Sequence, residues 1–78
     1  MSGLRRGITA REYIRALHAD GFTLQRTRGS HHIYRRPDGR RVVVAYHRLN
    51  ATFPIGTLQA MVGDAGWGDD DLKRLGLG

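Results

Sequence analysis

The sequence predicts an α+β fold of order α-β-β-β-α, with a three-stranded antiparallel sheet, helices on one face of it, and a short additional helix at the C-terminal end. Two changes of period lead there. Apolar residues recur at three- and four-residue spacing before Gly21 and again after Pro54, which is the signature of helices with one buried stripe. Between these stretches the period falls to two. Turn signals at Gly29 and at Pro37-Asp38-Gly39-Arg40 cut that middle part into three strands, which as neighbours joined by tight turns form an antiparallel meander.

The elements follow in order. Thr9-Ala10-Arg11-Glu12 fits a capping box, in which the threonine hydroxyl accepts from the third helical amide and the glutamate reaches back to the threonine amide. A helix over about residues 9 to 20 is expected, with Ala10, Tyr13, Ile14 and Leu17 on its apolar stripe and Gly21 ending it in the left-handed conformation. From Phe22 a first strand begins, Phe22 and Leu24 alternating with Thr23, Gln25 and Thr27 until Gly29 permits a turn. His31 to Arg36 is the second strand. In the turn after it, proline presets the first corner and glycine accepts positive φ. Arg41 to His47, with its three consecutive valines, reads as the third and best-buried strand. Asn50 to Pro54 is a loop. Leu58, Met61, Val62 and Ala65 then form a helical stripe stopped by Gly66, and Gly68 caps a final short helix whose first turn holds Asp69, Asp70 and Asp71. Carboxylates there face the positive end of the helix dipole, so the triple acid is expected to be structural. The first eight and last three residues are expected to fray.

Seventy-eight residues supply one modest core, hence a single domain over residues 1–78. Apolar content of 40% and charged content of 26% are those of a chain that folds. No apolar run approaches the roughly 20 residues that span a bilayer, and the N-terminus lacks a basic-then-apolar leader, so a cytoplasmic protein without a membrane partner is expected. With no cysteine, neither a disulfide scaffold nor a thiolate metal site can form.

The formal charge of +6 is unevenly distributed. Residues 1 to 48 carry eleven arginines against Glu12, Asp20 and Asp38, whereas residues 49 to 78 carry Lys73 and Arg74 against four aspartates. Genomic base composition also enriches arginine. Even so, its planar fork pairs bidentately with phosphate and stacks on bases, which favours nucleic acid over a lipid surface as the anionic partner.

The basic part contains Arg28-Gly29-Ser30-His31-His32-Ile33-Tyr34, two adjacent histidines just after a turn. Imidazole, with an unperturbed pKa of about 6.5, exchanges a proton near neutrality. Strand alternation sets His31, Ile33 and Arg35 on one face and His32, Tyr34 and Arg36 on the other. Which face is buried stays open, since Ile33 and Tyr34 both suit a core. In a meander the end of the third strand lies beside the start of the second, which brings His47 toward the pair. A zinc site of His31, His32 and His47 is disfavoured because adjacent strand residues point apart. On RNA, a neutral imidazole about 3 Å from a ribose 2′-hydroxyl could take its proton, the alkoxide attacking phosphorus to give a cyclic phosphate. Arg28, Arg35 and Arg36 are candidate phosphate contacts, and Ser30 is a candidate orienter of phosphate or imidazole. His18 and Trp67 are expected to be packing or surface residues. The same basic surface would also serve a non-catalytic RNA-binding module, or dock an acidic protein.

The run Gly29-Ser30-His31-His32-Ile33-Tyr34-Arg35, then Pro37-Asp38-Gly39-Arg40, a valine strand leading to His47, and Gly56-Thr57-Leu58 opening a helix resembles the HicA toxins of HicAB toxin-antitoxin systems, from about Thr9 to Leu75. Two departures are visible: Ala45-Tyr46-His47 stands where family members often have a proline two before that histidine, and the loop Arg48 to Pro54 is less charged than usual. The resemblance implies a fold like that of double-stranded-RNA-binding domains and an mRNA interferase that uses no metal or other cofactor. It further implies a HicB-like antitoxin that blocks the site. It selects His31, directly after glycine-serine, as the catalytic histidine; around it Arg28, Gly29, Ser30, Arg35 and Arg36 are the candidate substrate contacts, and His32 and His47 are candidate supporting residues.

Overall fold

A computed structural model describes residues 3–78 of the chain; Met1 and Ser2, part of the segment expected to fray, lie outside the described residues. The elements are α1 (Ala10–Ala19), β1 (Thr23–Arg28), β2 (His31–Arg35), β3 (Arg41–Ala45), α2 (Ile55–Ala65) and α3 (Asp69–Arg74). The strands form one antiparallel sheet in the order β1-β2-β3. This is the expected α+β order, and it is consistent with the double-stranded-RNA-binding-domain type.

Local chemistry explains where the elements begin and end. The Thr9 hydroxyl accepts from the Glu12 amide at 3.2 Å and the Glu12 carboxylate accepts from the Thr9 amide at 3.0 Å, the reciprocal bonds of a capping box at the start of α1. Gly21 at φ 88° and Gly66 at φ 75° end α1 and α2 in the left-handed region. Between β2 and β3, the Gly39 amide donates to the Arg36 carbonyl at 3.0 Å and the Arg36 amide to the Arg40 carbonyl at 2.9 Å. Pro37, Asp38 and left-handed Gly39 thus make a three-residue hairpin loop. Asp71 accepts from the Gly68 amide at 3.0 Å, and Asp69 from the Gly3 amide at 3.1 Å, so two of the three clustered aspartates have backbone partners.

One face of the sheet carries Tyr34, Val42 and Val44, and all three helices pack there. Tyr13 and Leu17 of α1, Leu58, Met61 and Ala65 of α2, and Leu72 of α3 close over it together with Trp67. Each large apolar side chain fully buried in this way contributes about 1.5–3 kcal/mol. Tyr13 sits at the centre: its ring lies 5.4 Å from Trp67 and 6.3 Å from Phe53, and its hydroxyl donates to the Met61 carbonyl at 2.9 Å. Burial pushes that hydroxyl's pKa far up, with the charge of Asp64 adding to the effect.

Three expectations need correction. Phe22 is buried, but Leu24 is 48% exposed. It lies on an edge strand whose register slips between Leu24 and Arg26, and no core residue covers it there. The third strand stops at Ala45 rather than His47, because its partner ends first: the Tyr46 amide still reaches the Ser30 carbonyl at 3.0 Å, and beyond Ser30 the chain turns at Gly29. Nor do the described ends behave as frayed tails. The Arg5 amide donates to the Leu77 carbonyl at 2.8 Å, and Ile8 and Leu77 are buried in the core. Apolar side chains at both ends find a shared site, and that burial offsets the entropy of ordering them.

Candidate active site on the helix-free sheet face

Burial of Tyr34, Val42 and Val44 against the helices decides the question that alternation left open. His32 shares the helix-covered face, whereas His31, Ile33 and Arg35 point to the opposite, helix-free side. His31 is exposed at the first position of β2, opposite Arg28 on one side and Ala45 on the other. The connection from Arg28 to His31 is two residues long. Gly29 has φ 58° and, among the described residues, no non-glycine residue has positive φ, the pattern of a type II′ hairpin turn. That turn suits the sheet's twist, so the His31 backbone is held by ladder bonds on both sides while its side chain faces solvent. Ser30 is half-buried in the loop and its carbonyl accepts from Tyr46.

The two histidines do different work. His32 donates from Nδ1 to the Val44 carbonyl at 3.1 Å; a carbonyl can only accept, so Nδ1 carries the hydrogen. Its ring stacks on Tyr46, with centroids 3.9 Å apart and an interplanar angle of 13°. These contacts tie the open end of β3 to β2 one residue from His31. His47 is exposed in the bend after β3, two residues past the partner of His31; it is near the site in topology and outside the sheet.

Around His31 the helix-free face is basic. Arg28 pairs with His31, Arg26 with Ile33 and Arg41 with Arg35 in the strand register. Among the described residues Arg26, Arg28, Arg35 and Arg41 have no carboxylate partner. By contrast, Arg5, Arg36, Arg40 and Arg74 each meet an acid within hydrogen-bonding distance. Four cations without an acidic partner therefore share the side where His31 is exposed. Arg26 and Arg41 were not singled out from the sequence. Counting by twos from Arg28, and across the Pro37 turn from Arg35, would have found them.

Arg36 is separated from this group. Its Nη1 donates to Asp20 at 2.8 Å, its Nε lies 3.6 Å from Asp38, and its guanidinium sits 5.9 Å from the Phe22 ring centroid. Asp20, whose side chain is 9% exposed, also accepts from Trp67 Nε1 at 2.7 Å and from Arg74 at 2.9 Å. Burial pushes the Asp20 carboxyl up, but hydrogen bonds from Trp67 and Arg74 and the charges of Arg36 and Arg74 outweigh it and hold the group below the ordinary carboxylate range. The geometry gives Arg36 a structural task at the end of the sheet remote from His31. His18 is exposed, edge-on to Tyr34 at 5.6 Å, and Trp67 is buried, so both are packing or surface residues as expected.

Fold and site together define a small α+β protein with a rigid, basic, histidine-bearing sheet face. Comparison with known families finds a match to the one described as "HicA toxin of bacterial toxin-antitoxin" over residues 10–67, well over half of the chain. The chain belongs to the HicA toxin family. Such a toxin has a cognate antitoxin as its partner within a toxin-antitoxin system. No curated protein matches the chain. Among the described residues no helix is long and apolar enough to cross a membrane.

Proposed function

We propose that this toxin is a metal-independent endoribonuclease acting on mRNA in the cytoplasm, the whole chain working as one domain, with His31 as its catalytic residue. The observation that carries the reading is an exposed histidine, locked by a hairpin at the rim of a sheet face whose arginines lack acidic partners. Neutral His31 takes the proton of a ribose 2′-hydroxyl. The alkoxide attacks the adjacent phosphorus, the 5′-oxygen departs with a proton, and a 2′,3′-cyclic phosphate remains. General base catalysis of this kind contributes on the order of 10²- to 10⁴-fold, and Arg28 beside His31 stabilises the charge that develops on phosphorus. Gly29 and Ser30 let the backbone approach the strand, and Arg35 holds substrate further along the face. His32 supports the site by fixing the sheet end, and His47 is the candidate for the second proton transfer. A HicB-like antitoxin with an acidic surface would inhibit by covering the His31 rim.

Replacing His31 with alanine is expected to abolish RNA cleavage and growth arrest while circular dichroism and melting temperature stay as in the parent. Retained cleavage by a well-folded His31→Ala protein would overturn the assignment. The same arginines favour one second reading, a non-catalytic RNA-binding module, which predicts salt-sensitive RNA binding by the parent with the RNA left intact.

A further inference from the structure

Along the helix-free face, Arg26 at mid-strand opposite Ile33 and Arg35 and Arg41 at the end of β2 away from His31 line a shallow concavity together with Gln25 and Ile33. Arg35 and Arg41 are direct cross-strand partners. Like charges placed opposite each other in a ladder destabilise the sheet, and no acid among the described residues relieves this pair. Ile33 lies among these arginines and is only 5% exposed although it faces away from the helices, so the surface that the concavity presents is largely polar. The wall is shaped. Gln25 occupies the irregularity in β1, the kind of bulge that re-aims side chains, and its Oε1 accepts from Arg35 Nε at 3.3 Å. That bond orients the Arg35 guanidinium and leaves its two terminal nitrogens available for a bidentate anion contact.

We infer that Arg26, Arg35 and Arg41 form a second phosphate subsite, which grips the RNA backbone away from the scissile bond and thereby sets how the strand lies across the sheet. The inference rests on the ribonuclease reading only in taking RNA as the occupant. Arg35 is four residues from His31 on the same face, about 13 Å along the strand. One phosphate cannot touch both positions, so the subsite engages a different nucleotide from the one cleaved. An acidic protein surface is the competing occupant. RNA is favoured because the cradle shares a face with His31 and because guanidinium forks pair bidentately with phosphate.

The test compares the parent with the double variant Arg26→Gln/Arg41→Gln and with the charge-retaining Arg26→Lys/Arg41→Lys. Each is titrated with a 2′-O-methyl hexanucleotide and a 2′-O-methyl dinucleotide, which cannot be cut by 2′-attack. For the hexanucleotide, losing one phosphate contact is expected to lower the slope of log affinity against log salt by about 0.7, an affinity loss of roughly five-fold near 0.1 M salt. The lysine variant should keep the parent's slope. Dinucleotide binding at the His31 end should be unchanged in both variants. For cleavable RNA, the glutamine variant should show raised KM with unchanged kcat. Equal losses for the two oligonucleotides would reduce the cradle to diffuse charge and overturn the inference. So would an unchanged hexanucleotide slope, or loss of poly-glutamate binding with RNA binding intact. Failure of the ribonuclease reading looks different: the parent leaves RNA whole, yet the cradle still governs the hexanucleotide slope.

Discussion

Replacing Asp20 with alanine should cost this protein about 3 kcal/mol. Asp20 joins the end of α1 to Trp67 after α2, to Arg36 after β2 and to Arg74 at the end of α3. Its bond from the buried indole at 2.7 Å is charge-assisted, a type worth about 1.5–3 kcal/mol, and removal leaves Nε1 without a partner. Arg36, with a side chain 29% exposed, adds about 0.5–1 kcal/mol once solvent screening is allowed for. For a domain of this size 3 kcal/mol lowers the melting temperature by roughly 12–24 °C. Thermal and urea unfolding followed by Trp67 fluorescence measure this directly. Asp20→Asn retains an acceptor for the indole but loses the charge, and should fall between the two. A fall of only a few degrees in Asp20→Ala would refute the hub. The pH dependence has a definite sign: a carboxylate held below its ordinary value stabilises the fold above the unfolded pKa, near 3.9, and that stability drains as pH falls through the folded value. The parent should therefore lose stability below about pH 4 more steeply than Asp20→Asn. If Arg36 serves this hub, Arg36→Gln lowers the melting temperature without raising KM for RNA; the reverse pattern would return Arg36 to the substrate.

Two further substitutions probe the core and the turn. Tyr13→Phe removes a fully buried hydroxyl that donates to the Met61 carbonyl, so it should cost about 1 kcal/mol in urea unfolding; an unchanged midpoint would mean the bond adds nothing net. Gly29→Ala meets no steric neighbour but forces a side chain into positive φ, at about 1–2 kcal/mol, and should depress RNA cleavage by tilting His31. Full activity with lowered stability would show that the turn holds the fold and leaves the catalytic geometry alone.

Much of the scaffold was legible because its causes are local. Thr9 and Glu12 cap a helix from three residues apart, Gly29 and Gly39 accept turn conformations unfavourable to other residues, and the valine run favours a strand wherever it lies. For the same reason His31 could be singled out beside its turn. Strand ends were less legible, since β3 stops where β2 has no more backbone to offer, and that depends on a partner rather than on the Tyr46-His47 dipeptide itself.

The amino-acid order alone therefore determined the α+β element order, the hairpin that presents His31 and the excess of arginine around it. Only the tertiary structure decided which histidine looks to solvent. Ile33 and Tyr34 are equally apolar, and alternation is blind to which side the helices cover until Tyr34, Val42 and Val44 are packed. It likewise decided which arginines are free. Asp20 captures Arg36 from sixteen residues away, while Arg26 and Arg41 are left without an acid on the face that His31 shares. Ion pairing depends on distance in space, and a sequence records only distance along the chain.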